Sequence, residues 1–258
     1  MSSRREVRDF PLVQTIVDAG STLSSETLGE LERAYSASTP KPLLIQRQLS
    51  RDTYRSLYSE WHEHITSNNQ STHDTFEHGP QTLTSIWDDP KGIRMETAQG
   101  KAPNPVRDWL KGGPLGSVTA SLAQVQAQLD AFVSRTCPPA CELVYPAFVA
   151  GLITHLCGPT HYDCYDNFAL VLVGHKTFYV APYDMFKDKP LAGPNESYRA
   201  GVNPFNHSLS TDHEDLTWAS NWEKAHLLPG DILFLPRTYW HCVYSRPHTV
   251  MTNTWVHP

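Results

Sequence analysis

The chain of 258 residues lacks any apolar run near the roughly 20 residues that a membrane-spanning helix requires. Its first residues, MSSRREVRDF, carry charge with no apolar segment behind them, so the sequence predicts no secretory signal. Positive charge is also scarce, because 21 Lys and Arg stand against 27 Asp and Glu, for a formal net charge of −6. Proteins that bind nucleic acid or anionic membranes through phosphate contacts need the opposite balance, so we predict neither partner.

Cysteine is sparse and odd in number. An odd count in a chain without a signal predicts reduced thiols and a cytoplasmic location. Two of the cysteines, Cys137 and Cys141, are separated by three residues, and two of these are prolines. That spacing differs from the CxxC pattern of redox and zinc motifs, so we interpret the segment as an ordinary loop. The five cysteines are Cys137, Cys141, Cys157, Cys164 and Cys242.

The first part of the chain, residues 1–140, is predicted to be a mainly helical support with some β structure. Ser24 or Ser25 can cap a helix that runs to Tyr35, and Ser50 can cap a second helix with an apolar stripe ending at Ile65. Between them, TPKPLLIQRQL indicates a short strand. Two further helices are predicted, one over 104–112 that starts with Asn-Pro and one from about Ser121 to Arg135.

Residues 141–258 change to short β-branched and aromatic segments separated by Gly, Pro, Asn and His, which predicts a β-barrel or sandwich. The stretches 67–80 and 187–221 are polar and rich in turn residues, so both are predicted as loops, the second a lid or binding loop. No internal repeat or clean linker divides the chain. We therefore predict one domain over 1–258, with a barrel core at 141–258.

Two separated motifs indicate a metal site. In GPTHYDCYDNF, His161 and Asp163 are two residues apart, so on a strand both side chains leave the same face. In LLPGDILFLPRTYWHCV, a Pro-Gly turn leads into an apolar strand, and His241 opens the next strand. Two His and one carboxylate form the facial triad of non-haem Fe(II) oxygenases. A second ligand pair, His62 and His64, lies on a predicted amphipathic helix and is the weaker candidate.

In these motifs the sequence resembles the JmjC or cupin-type oxygenases that depend on Fe(II) and 2-oxoglutarate. The resemblance extends from about Phe148 to the end of the chain. It is carried by HYD at 161–163, Asn167, GHK at 174–176, PGDILFLP at 229–236, YWH at 239–241 and NTW at 253–255. It implies a mainly β fold with flanking helices, a double-stranded β-helix or jelly-roll barrel with a helical N-terminal part.

The resemblance also implies the role of each site residue. His161, Asp163 and His241 would bind Fe(II), and Lys176 would pair with the distal carboxylate of 2-oxoglutarate. Asn167 would hydrogen-bond the carboxylate next to the metal. In the same reading, Asn253 points into the barrel near the metal with Trp255 packed behind it. Other oxygenases place an Arg about ten residues after the last His, where this chain has Met251, so Lys176 remains the candidate cation.

One position departs from the family pattern. Three residues before the first His, where the family commonly has Ser or Thr, this chain has Gly158. Thr154, Thr160 or an aromatic hydroxyl from the N-terminal half could serve as the second anchor for the distal carboxylate.

The implied activity is hydroxylation of an unactivated carbon in an amino-acid side chain, with Fe(II), 2-oxoglutarate and O₂. A protein or peptide substrate is preferred, and a free amino acid or similar small metabolite is the alternative. Further hypotheses are a tRNA-modifying oxygenase, a zinc or nickel cupin enzyme that does not use 2-oxoglutarate, and a non-catalytic cupin binding protein. Asp rather than Glu between the two His resembles the hydroxylases more than the histone demethylases. Because only three residues follow Trp255, we expect a monomer, or a dimer built from the N-terminal half.

Overall fold

The computed structural model describes residues 10–67, 94–95, 117–138, 141–144, 147–149, 156–157, 160–186, 197–200, 222–246 and 249–257. Three helices are described, α1 (Ser25–Ser36), α2 (Arg51–Ser67) and α3 (Ser117–Thr136), with a short 3₁₀ turn at Tyr183–Phe186. The strands are β1 (Gln14–Asp18), β2 (Leu43–Arg47), β3 (Arg94–Met95), β4 (Glu142–Val144), β5 (Ala147–Val149), β6 (Leu156–Cys157), β7 (Thr160–Asp163), β8 (Asp166–Val173), β9 (Lys176–Ala181), β10 (Ser197–Ala200), β11 (Glu223–Leu227), β12 (Ile232–Leu235), β13 (Trp240–Ser245) and β14 (Val250–His257).

The predicted starts of the first two helices are confirmed. Ser24 caps α1 because its Oγ accepts a hydrogen bond from the backbone N–H of Thr27 at 3.1 Å. Ser50 caps α2 in the same way through Thr53 at 3.2 Å. Helix α3 starts at Ser117, ahead of the predicted start near residue 121. The helix predicted over 104–112 lies outside the described residues, as does nearly all of the predicted 67–80 loop.

The described strands form two sheets. The larger has the order β1-β2-β12-β8-β14-β5-β3, with β4 also paired to β14. The smaller has the order β10-β7-β13-β9-β11, with β6 also paired to β13. Strands β1, β2 and β3 come from the first part of the chain, so that part extends the larger sheet as well as covering it. The predicted mainly β architecture with flanking helices is confirmed.

Strand β8 shows how the layers are built, because all eight of its residues are buried. Alternate side chains of a strand leave opposite faces. Phe168, Leu170 and Leu172 join a cluster with helix residues such as Leu129 and Phe132. Ala169 and Val171 instead join a cluster with residues of the smaller sheet. The larger sheet thus packs on helices with one face and on the smaller sheet with the other.

We call the apolar cluster that contains Ala169 and Val171, between the two sheets, the inner cluster. A strand residue on the same face as a member of this cluster points into the space between the sheets. We call that face of a strand its inner face. The buried members of the cluster are Val13, Leu44, Ala169, Val171, Phe178, Val180, Ala225, Leu227, Leu233, Leu235 and Met251.

Two described strands were not individually predicted, and the second contradicts a prediction. Gln14–Asp18 pairs in parallel with Leu43–Arg47 and belongs to the β structure expected somewhere in the first part of the chain. Ser197–Ala200 is a strand inside the predicted 187–221 loop, because it pairs antiparallel with β7. Both segments are short and lack a clear apolar strand pattern, so their strand structure depends on pairing with partners distant in sequence.

The turn at Pro229-Gly-Asp connects β11 to β12 and is held at both ends. Gly230 has a φ of 92°, which favours glycine, and its N–H donates to the carbonyl of Val171 at 2.8 Å. The Asp231 carboxylate accepts the backbone N–H groups of Arg47 at 2.6 Å and Leu228 at 2.8 Å. Burial raises the pKa of Asp231 to about 6, while these hydrogen bonds and the Arg47 charge act against that rise.

Among the described helices, none is long and apolar enough to span a bilayer.

Candidate metal centre

Strands β7 and β13 bring the two predicted histidines together. His161 and His241 are direct partners in the antiparallel register of these neighbouring strands, and residues paired in this way have Cβ atoms about 5 Å apart on one face. Their ring centroids lie 4.1 Å apart. Asp163 follows His161 by two residues and leaves the same face.

The three side chains converge in a buried position. Asp163 Oδ1 lies 3.8 Å from His161 Nε2, and Asp163 Oδ2 lies 3.6 Å from His241 Nε2. One ligand-capable atom from each residue lies within 4.8 Å of the other two. All three residues are buried, at 4–7% exposure. Burial of two imidazoles around one carboxylate is typical of a metal site, because a buried charge needs a counter-charge.

The hydrogen bonding of His241 prepares one nitrogen for a metal. His241 Nδ1 lies 3.0 Å from the backbone carbonyl oxygen of Tyr239. A carbonyl can only accept, so the proton belongs on Nδ1 and the lone pair on Nε2 faces Asp163. Histidines that bind metals commonly donate their second ring N–H to a carbonyl in this way.

A tight turn before β13 positions His241. The N–H of Thr238 donates to the carbonyl of Asp163 at 2.8 Å, and Thr238 has a φ of 67°. The N–H of Arg237 donates to the Asp166 carboxylate at 2.8 Å. Burial raises the pKa of Asp166, while its hydrogen bond and ion-pair attraction to Arg237 lower it. The β7–β8 turn and the turn before β13 are therefore bonded to each other beside the triad.

Lys176 opens β9 directly after a turn at Gly174, whose φ is 79°. It shares a face with Phe178 and Val180, both members of the inner cluster, so its stem enters the space between the sheets. The residue is 6% exposed, and burial lowers the pKa of its ammonium group to about 7. A buried lysine facing inward is what a pocket for an anion requires.

Asn167 and Asn253 also lie on the inner face. Asn167 is two residues from Ala169, and Asn253 is two residues from Met251, so each shares a face with a member of the inner cluster. Asn253 Nδ2 donates to Asn167 Oδ1 at 2.7 Å, and both residues are buried. The structure therefore brings the predicted asparagines together on the sheet that faces the histidines.

Beyond the asparagine pair, Trp255 is the register partner of Asn167 and is 6% exposed. Its ring stacks on Tyr165, with centroids 5.1 Å apart and planes at 23°. Tyr165 lies in the turn between β7 and β8, two residues after Asp163. Trp255 thus does pack next to Asn253 along β14, and it has an aromatic partner that the sequence did not indicate.

The alternatives for a second carboxylate anchor are only partly within the described chain. Thr160 alternates with His161 and shares a face with Tyr162, which packs on Trp240 at 4.9 Å outside the inner cluster. Thr160 therefore leaves the face opposite the triad, and this option is not supported. Thr154 and Gly158, like the side chains of the alternative ligands His62 and His64, lie outside the described residues.

Sequence comparison identifies the class of domain. A profile of the cupin-like domain family matches residues 154–258. This segment, which carries the triad and Lys176, is similar to the cupin-like family, whose jelly-roll β fold agrees with the mainly β architecture, and the resemblance predicted from the motifs is confirmed. The JmjC domain-containing protein F of Dictyostelium discoideum is 29% identical over an alignment of 116 residues, with coverage of 38% of this chain and 24% of that protein. The match spans about a quarter of the relative's length.

The solved structures that match the chain are more distant. The ribosomal oxygenase YcfD of Escherichia coli is 17% identical, covers 45% of this chain and 23% of its own, and has a TM-score of 0.25. Hydroquinone 1,2-dioxygenase from Sphingomonas sp. TTNP3 is 14% identical, covers 43% of this chain and 59% of its own, and has a TM-score of 0.28. At this distance, the function must be argued from the site itself.

Proposed function

We propose that the protein is an Fe(II)- and 2-oxoglutarate-dependent oxygenase that hydroxylates an amino-acid side chain, preferably within a protein or peptide. The observation that carries this proposal is that the triad and a buried lysine face the same space between the two sheets. His161, Asp163 and His241 converge in a buried cluster, and buried Lys176 faces the same interior from a neighbouring strand.

The donor set suits a divalent metal of intermediate softness. Two imidazole nitrogens and one carboxylate oxygen on one side of an ion leave up to three coordination positions for other ligands. Neighbouring ligand atoms around such an ion lie about 3 Å apart when each bond is near 2.1 Å. The observed separations of 3.6 and 3.8 Å close to that value with small rotations of the rings and the carboxylate.

The position of Lys176 suits a dicarboxylate that reaches from the metal. His241 pairs with Val180, so Lys176 lies four residues along β9 from the level of the triad, about 13 Å at 3.3 Å for each residue. The lysine side chain leaves the strand roughly at right angles, so the ammonium group stays separated from the triad along β9. In the proposed complex a keto diacid bound to the metal by its keto-acid end spans this interval. The ammonium group would then form a charge-assisted hydrogen bond with the distal carboxylate.

The asparagine pair faces the triad from the larger sheet. Asn253 already donates to Asn167, so the amide nitrogen of Asn167 keeps its donors for another acceptor. In the proposed complex, Asn167 donates to the carboxylate nearest the metal, and Asn253 holds the Asn167 amide in that orientation.

Apolar side chains line the space between Lys176 and the triad. Phe178 of the inner cluster lies between the two levels along β9, and Val180 of the same cluster pairs with His241, which favours a site with little water in the proposed complex. When bound, Fe(II) with 2-oxoglutarate and O₂ supplies the oxidising chemistry, in which decarboxylation to succinate is coupled to hydroxylation of the substrate. The protein residues orient the ligands and keep the site dry. This Lys176–Asn167 arrangement favours the oxygenase over a zinc or nickel cupin enzyme or a binding protein.

A succinate-release screen tests the proposal. Peptides, free amino acids and a cell extract are supplied with Fe(II), 2-oxoglutarate and O₂, and products are analysed for a gain of one oxygen. We expect succinate release coupled to hydroxylation of a peptide. Coupled turnover of a free amino acid alone would replace the peptide preference by the metabolite alternative. Turnover that does not depend on 2-oxoglutarate would overturn the assignment.

A further inference from the structure

The aromatic pair Tyr165–Trp255 lies at the end of the inner face that carries the triad. Asp163 closes β7, Tyr165 follows in the turn, and Asn167 is the second residue of β8. Trp255 is the register partner of Asn167 and lies two residues after Asn253 on β14, so its side chain is on the same face as both asparagines. The pair is thus continuous with the wall that faces the metal ligands.

The two rings of the pair differ in exposure. Trp255 is buried at 6% exposure, whereas Tyr165 is only half-buried. The rings stack at 5.1 Å with planes 23° apart. In such a stack the buried indole fixes the position of the outer ring, and the outer ring retains accessible area beside the turn that follows Asp163. A fixed aromatic ring binds a second flat group with little loss of conformational entropy.

We propose that Tyr165, supported by Trp255, stacks against a planar side chain of the substrate and so determines which residue the enzyme accepts. The inference rests on the proposed function and names its substrate class as imidazole, guanidinium or aromatic side chains. Stacking selects for flatness rather than for one charge, because guanidinium groups and aromatic rings both pack on the face of an aromatic ring. Branched aliphatic side chains lack that flat surface.

Tyr179 offers a matched control on the other side of the smaller sheet. It is also a half-buried tyrosine in an aromatic pair, with its ring 5.2 Å from that of Phe10. It alternates with Phe178 and Val180, which face the inner cluster, so it leaves the outer face. Tyr179→Leu therefore removes a comparable aromatic contact at a distance from the proposed substrate position.

The test is calorimetric titration of the Fe(II) protein under nitrogen, first with 2-oxoglutarate and then with peptides. The peptides share one Gly-Ala sequence and carry His, Arg, Phe or Leu at the centre. Without O₂ there is no turnover, so the measurement reports binding alone. We expect at least one of the His, Arg and Phe peptides to bind the wild-type protein with an affinity about five times that of the Leu peptide or higher. Tyr165→Leu should remove this difference, whereas Tyr165→Phe and Tyr179→Leu should retain it.

The outcomes separate the two proposals. If all four proteins bind 2-oxoglutarate normally but the wild type shows no planar preference or binds no peptide, the stacking proposal is overturned and the oxygenase assignment stands. A planar preference that survives in Tyr165→Leu overturns it as well. If the wild-type protein does not bind 2-oxoglutarate, both proposals fail together.

Discussion

We expect buried Lys176 to contribute to the pH dependence of stability in the ligand-free protein. Its ammonium group is buried, and burial lowers its pKa from the ordinary value of 10.5 to about 7. The unfolded chain therefore holds more protons than the folded chain between these two pH values, so stability rises with pH across that interval. Below pH 7 the lysine is charged in both states, and the cost of burying the charge is complete.

The size of this effect on the free energy of unfolding follows from the difference between the two pKa values of Lys176. At about 1.4 kcal/mol for each pH unit, the span from 10.5 to about 7 corresponds to about 5 kcal/mol. Local relaxation and water entry reduce the measured value. Methionine fills nearly the same volume as the lysine stem without the charge. We therefore expect Lys176→Met to raise the free energy of unfolding by about 2–4 kcal/mol at pH 7 and by little at pH 10.

Urea unfolding of the metal-free protein between pH 6.5 and 10 measures this difference. Lys41→Met is the matched control, because Lys41 is exposed, and we expect its stability to follow that of the wild type. Adding 2-oxoglutarate with Fe(II) under nitrogen should stabilise the wild-type protein and have a much smaller effect on Lys176→Met. The reasoning would be refuted if Lys176→Met were destabilised, or if its stability differed from that of the wild type by the same amount at every pH.

Three further changes test other parts of the site. His241→Ala should lose bound Fe(II) and all coupled succinate release, and metal analysis showing one retained ion per chain would contradict the triad. Asn253→Ala should lower the free energy of unfolding by about 1–3 kcal/mol, because Asn167 Oδ1 loses its buried donor; unchanged urea unfolding would contradict this. Asp231→Ala should cost about 2–4 kcal/mol, since two backbone N–H groups lose their acceptor. A thermal midpoint equal to that of the wild type would show that those bonds contribute nothing.

The sequence was sufficient to place His161 and Asp163 on one face, because strand side chains alternate with a period of two. That feature depends only on residues near one another in the chain. The Pro-Gly turn and the apolar strand after it indicated where the strand of His241 begins, but its approach to His161 depends on pairing between distant strands. The role of Lys176 was predicted from the family resemblance.

Other features depend on partners that are distant in sequence. β10 is short, and only its pairing with β7 makes it a strand. The Tyr165–Trp255 stack joins residues 90 positions apart, and neither motif contains a sign of the other. The opposite face of Thr160 could have been predicted, because it is adjacent to His161 and strand side chains alternate.

In the proposed complex, Fe(II) is bound by the triad and 2-oxoglutarate by both the metal and Lys176. A keto acid that chelates Fe(II) produces a visible charge-transfer band, so anaerobic titration of the Fe(II) protein with 2-oxoglutarate reports on both contacts at once. We expect a saturable band in the wild-type protein, no band in His241→Ala, and a band in Lys176→Met that needs at least tenfold more 2-oxoglutarate. A band of normal affinity in either variant, or none in the wild type with one Fe(II) bound per chain, would contradict it.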